Sequence, residues 1–202
     1  MLDPERVRRN LERVRERVPP EVEICAAVKY LAADDLPALA EAGVELVGEN
    51  RAQALLEKQE HHRDLFAWDF IGVLQSRKVK DVAPNVRLIH SVASDSVLRR
   101  LGQTPAAEVL VEVNVADEEA KEGIPPAELA DFIARCPVPV SGLMTMPPFA
   151  ERAEDSRRYF ARLAELAAEH GLRRLSMGTS QDYEVAVQEG ATIVRLGTVL
   201  YD

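Results

Sequence analysis

Two stretches of this chain carry side chains of the kind that do chemistry. The first is Val22-Glu23-Ile24-Cys25-Ala26-Ala27-Val28-Lys29, an apolar run that closes on a lysine. Such a run reads as a buried strand, so Lys29 is expected to point inward at the strand's C-terminal end. A lysine in a poorly solvated place is less stable as a cation, and its neutral amine is then available to attack an aldehyde and form an imine. A lysine there can instead reach out to solvent or pair with a carboxylate such as Glu49.

The second stretch is Leu175-Ser176-Met177-Gly178-Thr179-Ser180, which leaves a strand and is read as entering a helix at Ser180. Asp182 and Glu184 fall in that helix's first turn. Small hydroxyls and unbonded backbone N–H groups at such a junction make an anion site. Arg195-Leu196-Gly197-Thr198 follows within another strand, where Gly197 exposes backbone N–H and Thr198 adds a hydroxyl. In a strand Arg195 and Gly197 share a face while Leu196 turns away, so Arg195 is expected to reach across the site. An amine nucleophile plus a phosphate cradle fits two chemistries. One is a class I aldolase acting on sugar phosphates; the other is a site for pyridoxal 5′-phosphate (PLP). Elsewhere, Asn50 after Val47-Gly48-Glu49 suits either a helix cap or a ligand contact. Arg77, Lys78 and Lys80 make either a basic patch or a solvated helix face.

The elements that must position these residues alternate along the whole chain. Leu2, Val7, Leu11, Val14 and Val18 recur at helical spacing, which predicts an extra N-terminal amphipathic helix over 3–18, ended by Pro19-Pro20. Strands are predicted at Glu23–Tyr30, Glu45–Gly48, Trp68–Gly72, Arg87–Ser91, Glu108–Val115, Val140–Met146, Arg174–Met177 and Thr192–Leu200. Helical segments lie between them near 34–42, 50–61, 76–82, 94–101, 125–135, 151–170 and 181–189. Apolar strands joined by amphipathic helices pair in parallel. Eight of them without a composition break favour one closed (β/α)8 TIM barrel over residues 1–202, with an open doubly wound sheet as the alternative. In such a barrel the loops after strands seven and eight build the phosphate site.

Composition narrows the function. Hydrophobic residues are 47% and charged residues 29% of the 202, an ordinary balance for a chain with a full core. The net charge of −9 repels phosphate backbones and anionic lipid, which argues against nucleic-acid or membrane binding as the main activity. Cys25 and Cys136 are too few for a disulfide framework or a four-cysteine metal site, and packing accounts for both. The N-terminus lacks an apolar signal core and no run is long enough to span a bilayer, so a cytoplasmic protein is expected. No heptad or exposed apolar run is evident, and a monomer is expected.

Taken in order, these residues resemble the YggS/PROSC-type PLP-binding proteins, the PLP homeostasis proteins. The resemblance runs through Ala26-Ala27-Val28-Lys29, Gly48-Glu49-Asn50, Trp68-Asp69-Phe70-Ile71-Gly72, Leu74-Gln75-Ser76 and Val113-Asn114-Val115. It continues in Lys121-Glu122-Gly123-Ile124, Gly142-Leu143-Met144 and the closing stretch from Leu175 to Thr198. It implies a barrel similar to the N-terminal domain of alanine racemase, with PLP held as a Schiff base on Lys29. It also implies phosphate-binding positions at Ser176, Ser180, Gly197 and Thr198, with Arg195 near the pyridine nitrogen and Asn50, Ile71 and Met144 around the ring. The chain departs from the common pattern at Tyr30 and Leu31 (usually Thr-Lys), Arg51 (usually aromatic), Asp69 (usually His) and Arg77 (usually Asn).

An arginine offers donors only, so Arg195 at the pyridine nitrogen would hold that atom as an unprotonated acceptor and weaken PLP as an electron sink. Racemisation needs bases on both faces of the substrate carbon, and no second domain is read in the chain to supply the other. The resemblance therefore implies PLP binding in vitamin B6 homeostasis without turnover, with PLP-dependent apoenzymes as recipients. A fold-type III amino-acid racemase of low activity is the alternative.

Overall fold

A computed structural model describes residues 2–106, 108–116 and 122–202. The chain opens on helix α1 (Pro4–Arg15), whose start is written in Asp3-Pro4. The Asp3 carboxylate accepts from the Glu5 N–H at 3.0 Å, and Pro4 fills a first-turn position where no N–H is needed. Val7 and Val14 bury one face, and Arg15 closes the helix by donating to the Val22 carbonyl at 2.7 Å. The helix thus ends three residues before the predicted 3–18 does, although Val18 is buried against the same core.

The strands β1 (Glu23–Ala27), β2 (Leu46–Glu49), β3 (Ala67–Phe70), β4 (Leu88–Val92), β5 (Glu108–Glu112), β6 (Val140–Met144), β7 (Arg174–Thr179) and β8 (Ile193–Leu196) pair in parallel, each with the next. The ring closes where β1 pairs β8, from Glu23 opposite Ile193 to Ala26 opposite Leu196. Closure removes the open-sheet alternative. Helices α2 (Leu36–Glu41), α3 (Ala52–His62), α4 (Val79–Val82), α5 (Asp95–Leu101), α6 (Leu129–Arg135), α7 (Arg157–Glu169) and α8 (Tyr183–Gln188) are the crossovers, and α9 (Thr198–Tyr201) is a single turn after β8. Among the described residues no helix is long and apolar enough to cross a membrane.

Period-two alternation splits the side chains into two layers. The outward set packs against the helices in the larger core, with Val47, Phe70, Ile89, Val109, Val111 and Leu143 among its buried members. The inward set fills the barrel with Cys25, Leu46, Leu88, Leu110, Met144 and Ile193, against which Ile71 packs. Polar groups join that inner set at Asp69, His90, Glu112, Ser176 and Arg195, all buried. Burial pushes the Cys25 thiol well up, in keeping with a packing role.

The C-terminal ends of the predicted strands all move by one to four residues, and three of the shifts bear on the site. β1 stops at Ala27 rather than Tyr30, because after the Val28 N–H bonds the Gly48 carbonyl the chain turns, with the Leu31 N–H returning to the Val28 carbonyl. β8 stops at Leu196 rather than Leu200, where Gly197 breaks the extended backbone and α9 begins. β7 runs on to Thr179, through Gly178 at φ +90°. A Cβ at Gly178 would sit 2.6 Å from the Ala186 Cβ, so both conformation and space demand glycine.

Candidate functional site

At the C-terminal ends of the strands lies a cavity of about 820 Å³. Lys29, Asn50, Ile71, Met144, Ser180, Arg195, Gly197 and Thr198 line it, so the fold brings together eight of the nine predicted site residues. Ser176 is the exception. It is fully buried beneath the cavity, where its Oγ meets His90 Nδ1 at 2.8 Å and accepts from Arg195 Nη1 at 2.5 Å. Lys121 lies outside the described residues.

Lys29 stands on the turn after β1. Its amine lies 4.8 Å from the centroid of the exposed Tyr30 ring and has no hydrogen-bond or ion-pair partner among the described residues. The anticipated partner, Glu49, is engaged by Lys58 from α3, a buried pair. Lys58 also donates to the Val28 carbonyl at 2.6 Å, while Glu49 Oε1 accepts from the N–H groups of Asn50 at 2.7 Å and Arg51 at 3.2 Å. One buried pair thus fixes the backbone that carries both Lys29 and Asn50. The Arg51 guanidinium reaches the Lys29 carbonyl at 3.5 Å. Asn50 Oδ1 is buried and has no partner.

The anion cradle forms across two loops. Ser180 does not begin a helix as predicted; α8 starts at Tyr183, and Asp182 instead binds the Thr179 N–H at 2.8 Å and its hydroxyl at 3.1 Å. Ser180 Oγ turns to the other loop, accepting from the Gly197 N–H at 3.0 Å and the Val199 N–H at 3.3 Å. A Cβ at Gly197 would come no closer than 3.9 Å to any neighbour, so the missing side chain leaves open space beside these donors.

Arg195 points into the barrel at nearly full burial. Nη1 donates to the Ser176 carbonyl at 2.8 Å and to its Oγ, and Nη2 donates to the Thr145 carbonyl at 2.9 Å and the Met146 sulfur at 2.8 Å. All four Nη hydrogens are therefore used, and Nε is the donor left without a partner among the described residues. Burial lowers the Arg195 pKa against the opposing pull of Cys25 and Glu112, yet a guanidinium keeps its proton over the neutral range.

Sequence reasoning missed Glu112 and His90 and gave Asp69 no role in the site. Glu112 ends β5 and lines the cavity; burial raises its carboxyl to about 7, against the pull of Arg195. Burial lowers the His90 imidazole, with Asp69 opposing. Burial also pushes Asp69 up, but hydrogen bonds from His90 and Arg87 outweigh it and leave the carboxyl below its ordinary range. The signal for all three was a polar residue at an inward position of an otherwise apolar strand.

The alanine racemase N-terminal domain family matches residues 2–202. The pyridoxal phosphate homeostasis protein of Aquifex aeolicus is 45% identical over 175 residues, covering 79% of this chain and 77% of that one. That of Pseudomonas aeruginosa is 38% identical over 198 residues, covering 92% and 86%. Among solved structures, PipY of Synechococcus elongatus with PLP bound superposes with a TM-score of 0.84 at 31% identity, over 97% of this chain and 100% of that one. The lysine/ornithine decarboxylase of Vibrio vulnificus, at 13% identity and a TM-score of 0.73 over 62% of its length, shares the fold.

Proposed function

The chain belongs to the pyridoxal phosphate homeostasis protein family, within the wider alanine racemase N-terminal domain family, and we propose that it binds PLP reversibly at the mouth of its barrel. PLP supplies an aldehyde that condenses with a primary amine, a ring nitrogen that accepts a hydrogen bond, and a phosphate. The observation that carries the reading is that three groups suited to these features open on one cavity. They are the Lys29 amine, the Arg195 guanidinium with its Nε–H left unbonded among the described residues, and the Ser180 and Gly197 cradle. Thr198 adds a hydroxyl at the rim, Met144 and Ile71 offer apolar surface, and the orphaned Asn50 Oδ1 needs a donor that the protein does not provide. In this reading Lys29 holds PLP as a Schiff base. Ser176 supports Arg195 rather than the phosphate.

The same residues argue for holding rather than turnover. Arg195 presents only donors, so it favours an unprotonated ring nitrogen and a weak electron sink. Tyr30, Val73 and Met146 are exposed at the cavity rim, which suits contact with a recipient such as the apo form of a PLP-dependent enzyme. The chain acts in this reading as a cytoplasmic monomer. Glu112 favours a second reading, a fold-type III racemase of low activity, because its carboxyl lies in the cavity and exchanges a proton near neutral pH. Loss of α-deuterium from amino acids would reveal that activity.

The test is borohydride reduction of the purified chain with PLP, followed by peptide mass spectrometry. A pyridoxyl adduct is expected on Lys29 and is expected to vanish in Lys29→Ala. A wild-type chain whose Lys29 stays unmodified would overturn the reading and return attention to sugar-phosphate cleavage.

A further inference from the structure

Arg195 is held from below by a line of buried groups that runs through the barrel. Asp69 is fully buried on the inner face of β3. Arg87 grips it twice, Nε to Oδ1 at 3.0 Å and Nη2 to Oδ2 at 2.8 Å, while Glu23 takes the remaining Arg87 nitrogen. Oδ2 also faces His90 Nε2 at 3.0 Å. A lone pair on Nε2 would repel an ionised carboxylate, so Nε2 carries the ring proton and donates it. Burial keeps the ring neutral, which makes Nδ1 an acceptor, and the Ser176 hydroxyl at 2.8 Å is the donor it takes. The Ser176 proton is thereby turned towards His90 and an oxygen lone pair towards Arg195, whose Nη1 donates at 2.5 Å. Each link fixes the direction of the next.

We propose that Asp69, acting through His90 and Ser176, is a positioning residue for Arg195, which it locks with the Nη donors engaged in the barrel and the Nε–H left for the ligand. The proposal rests on the PLP reading above. Asp69 sets the His90 tautomer, the tautomer sets the Ser176 hydroxyl, and the hydroxyl consumes an Nη hydrogen that would otherwise be drawn to the ligand. With an amide in place of the Asp69 carboxylate, an N–H can face His90 Nε2 and reverse the tautomer. His90 Nδ1–H then points at Ser176 Oγ and competes with Arg195 for the same oxygen.

The experiment loads the full chain with PLP labelled with nitrogen-15 in its ring and reads the ring nitrogen's chemical shift across the neutral pH range. Affinity for PLP and the Lys29 adduct are read beside it. Wild type is expected to show an unprotonated, hydrogen-bonded nitrogen with a flat pH profile. In Asp69→Asn and Ser176→Ala the shift is expected to move towards that of free PLP and to titrate. Affinity should fall about three- to tenfold, the range for weakening one charge-assisted hydrogen bond, with the Lys29 adduct retained. Wild-type shifts and flat profiles in both variants would overturn the proposal, whatever stability they lose, because a column that merely fills the barrel does not touch the ring nitrogen. Ser176→Ala decides alone if Asp69→Asn does not fold. An absent adduct in wild type is read before any substitution is made, so failure of the PLP reading is told apart from failure of this one.

Discussion

Glu49 and Glu112 are each the last residue of a barrel strand, β2 and β5, and each is buried. There the likeness ends. The Glu49 carboxylate turns to the helix layer, meets Lys58, and accepts two backbone N–H groups from the loop that follows. Glu112 turns the other way, into the cavity, and its carboxyl has no hydrogen-bond partner among the described residues. The same residue type at the same point of the repeat is thus a brace in one place and a carboxyl open to the cavity in the other. Direction decides, and direction is set by which face of the strand ends last. A brace belongs to the fold; a carboxyl in the cavity that Arg195 and Lys29 also line is available to a ligand.

The largest effect should come from breaking the brace. Lys58→Met leaves Glu49 charged, buried and without its cation, which costs about 3–5 kcal/mol of stability for a pair of this kind. Denaturant unfolding measures it. Because Lys58 also holds the Val28 carbonyl, the variant should form less Lys29 adduct even where it remains folded. The pair Lys58→Met with Glu49→Gln removes both charges and should recover most of the stability. A Lys58→Met chain as stable as wild type would erase the distinction between the two glutamates.

Glu112→Gln should do the opposite. In the fold its carboxyl titrates at about 7 against an ordinary 4.5, burial being the main cause. Between those values the folded chain holds a proton that the unfolded chain has released, so stability is lost as pH rises from about 4.5 through about 7. Glutamine removes the charge that must be buried. Stability is expected to rise by about 1–3 kcal/mol above neutral pH and to stay unchanged below about pH 4.5. Melting temperatures at the two ends of that range give the answer. An equal gain at both would assign the effect to packing rather than to charge.

Much of this arrangement was legible in the residues. The alternation of apolar runs and amphipathic segments specifies the barrel. Reading strand ends locates Lys29, Asn50, Ser180, Arg195, Gly197 and Thr198, because a parallel barrel gathers its strand ends on one rim. The misses have local causes. Trp68-Asp69-Phe70 and Leu88-Ile89-His90 both place a polar residue at an inward position, a signal that goes unused when only strand ends are read. The Glu49–Lys58 pair spans nine positions and depends on how α3 lies against β2, which no local pattern states. Ser176 lies four residues before Ser180, buried on β7 whereas Ser180 lines the cavity, a difference in depth that the run of small polar residues does not state.

Lys29 shares with Glu112 the condition of a charge-bearing group that lines the cavity without a side-chain hydrogen-bond partner among the described residues, and the smallest predicted effect tests that kinship. Its one neighbour of note is the Tyr30 ring, which is 82% exposed and 4.8 Å from the amine. A cation–ring contact this open to water contributes only about 0.5 kcal/mol. Tyr30→Ala should therefore shift unfolding by no more than about 0.5 kcal/mol, within the range of an ordinary surface change, and should leave the yield of Lys29 adduct as it was. The backbone under Lys29 is anchored by Lys58 at the Val28 carbonyl and by Arg51 at its own carbonyl, so the amine keeps its place without the ring. If Tyr30→Ala instead abolishes the adduct, the ring is what aims the amine, and Lys29 belongs with Glu49 among the held groups rather than with Glu112 among those left for a ligand.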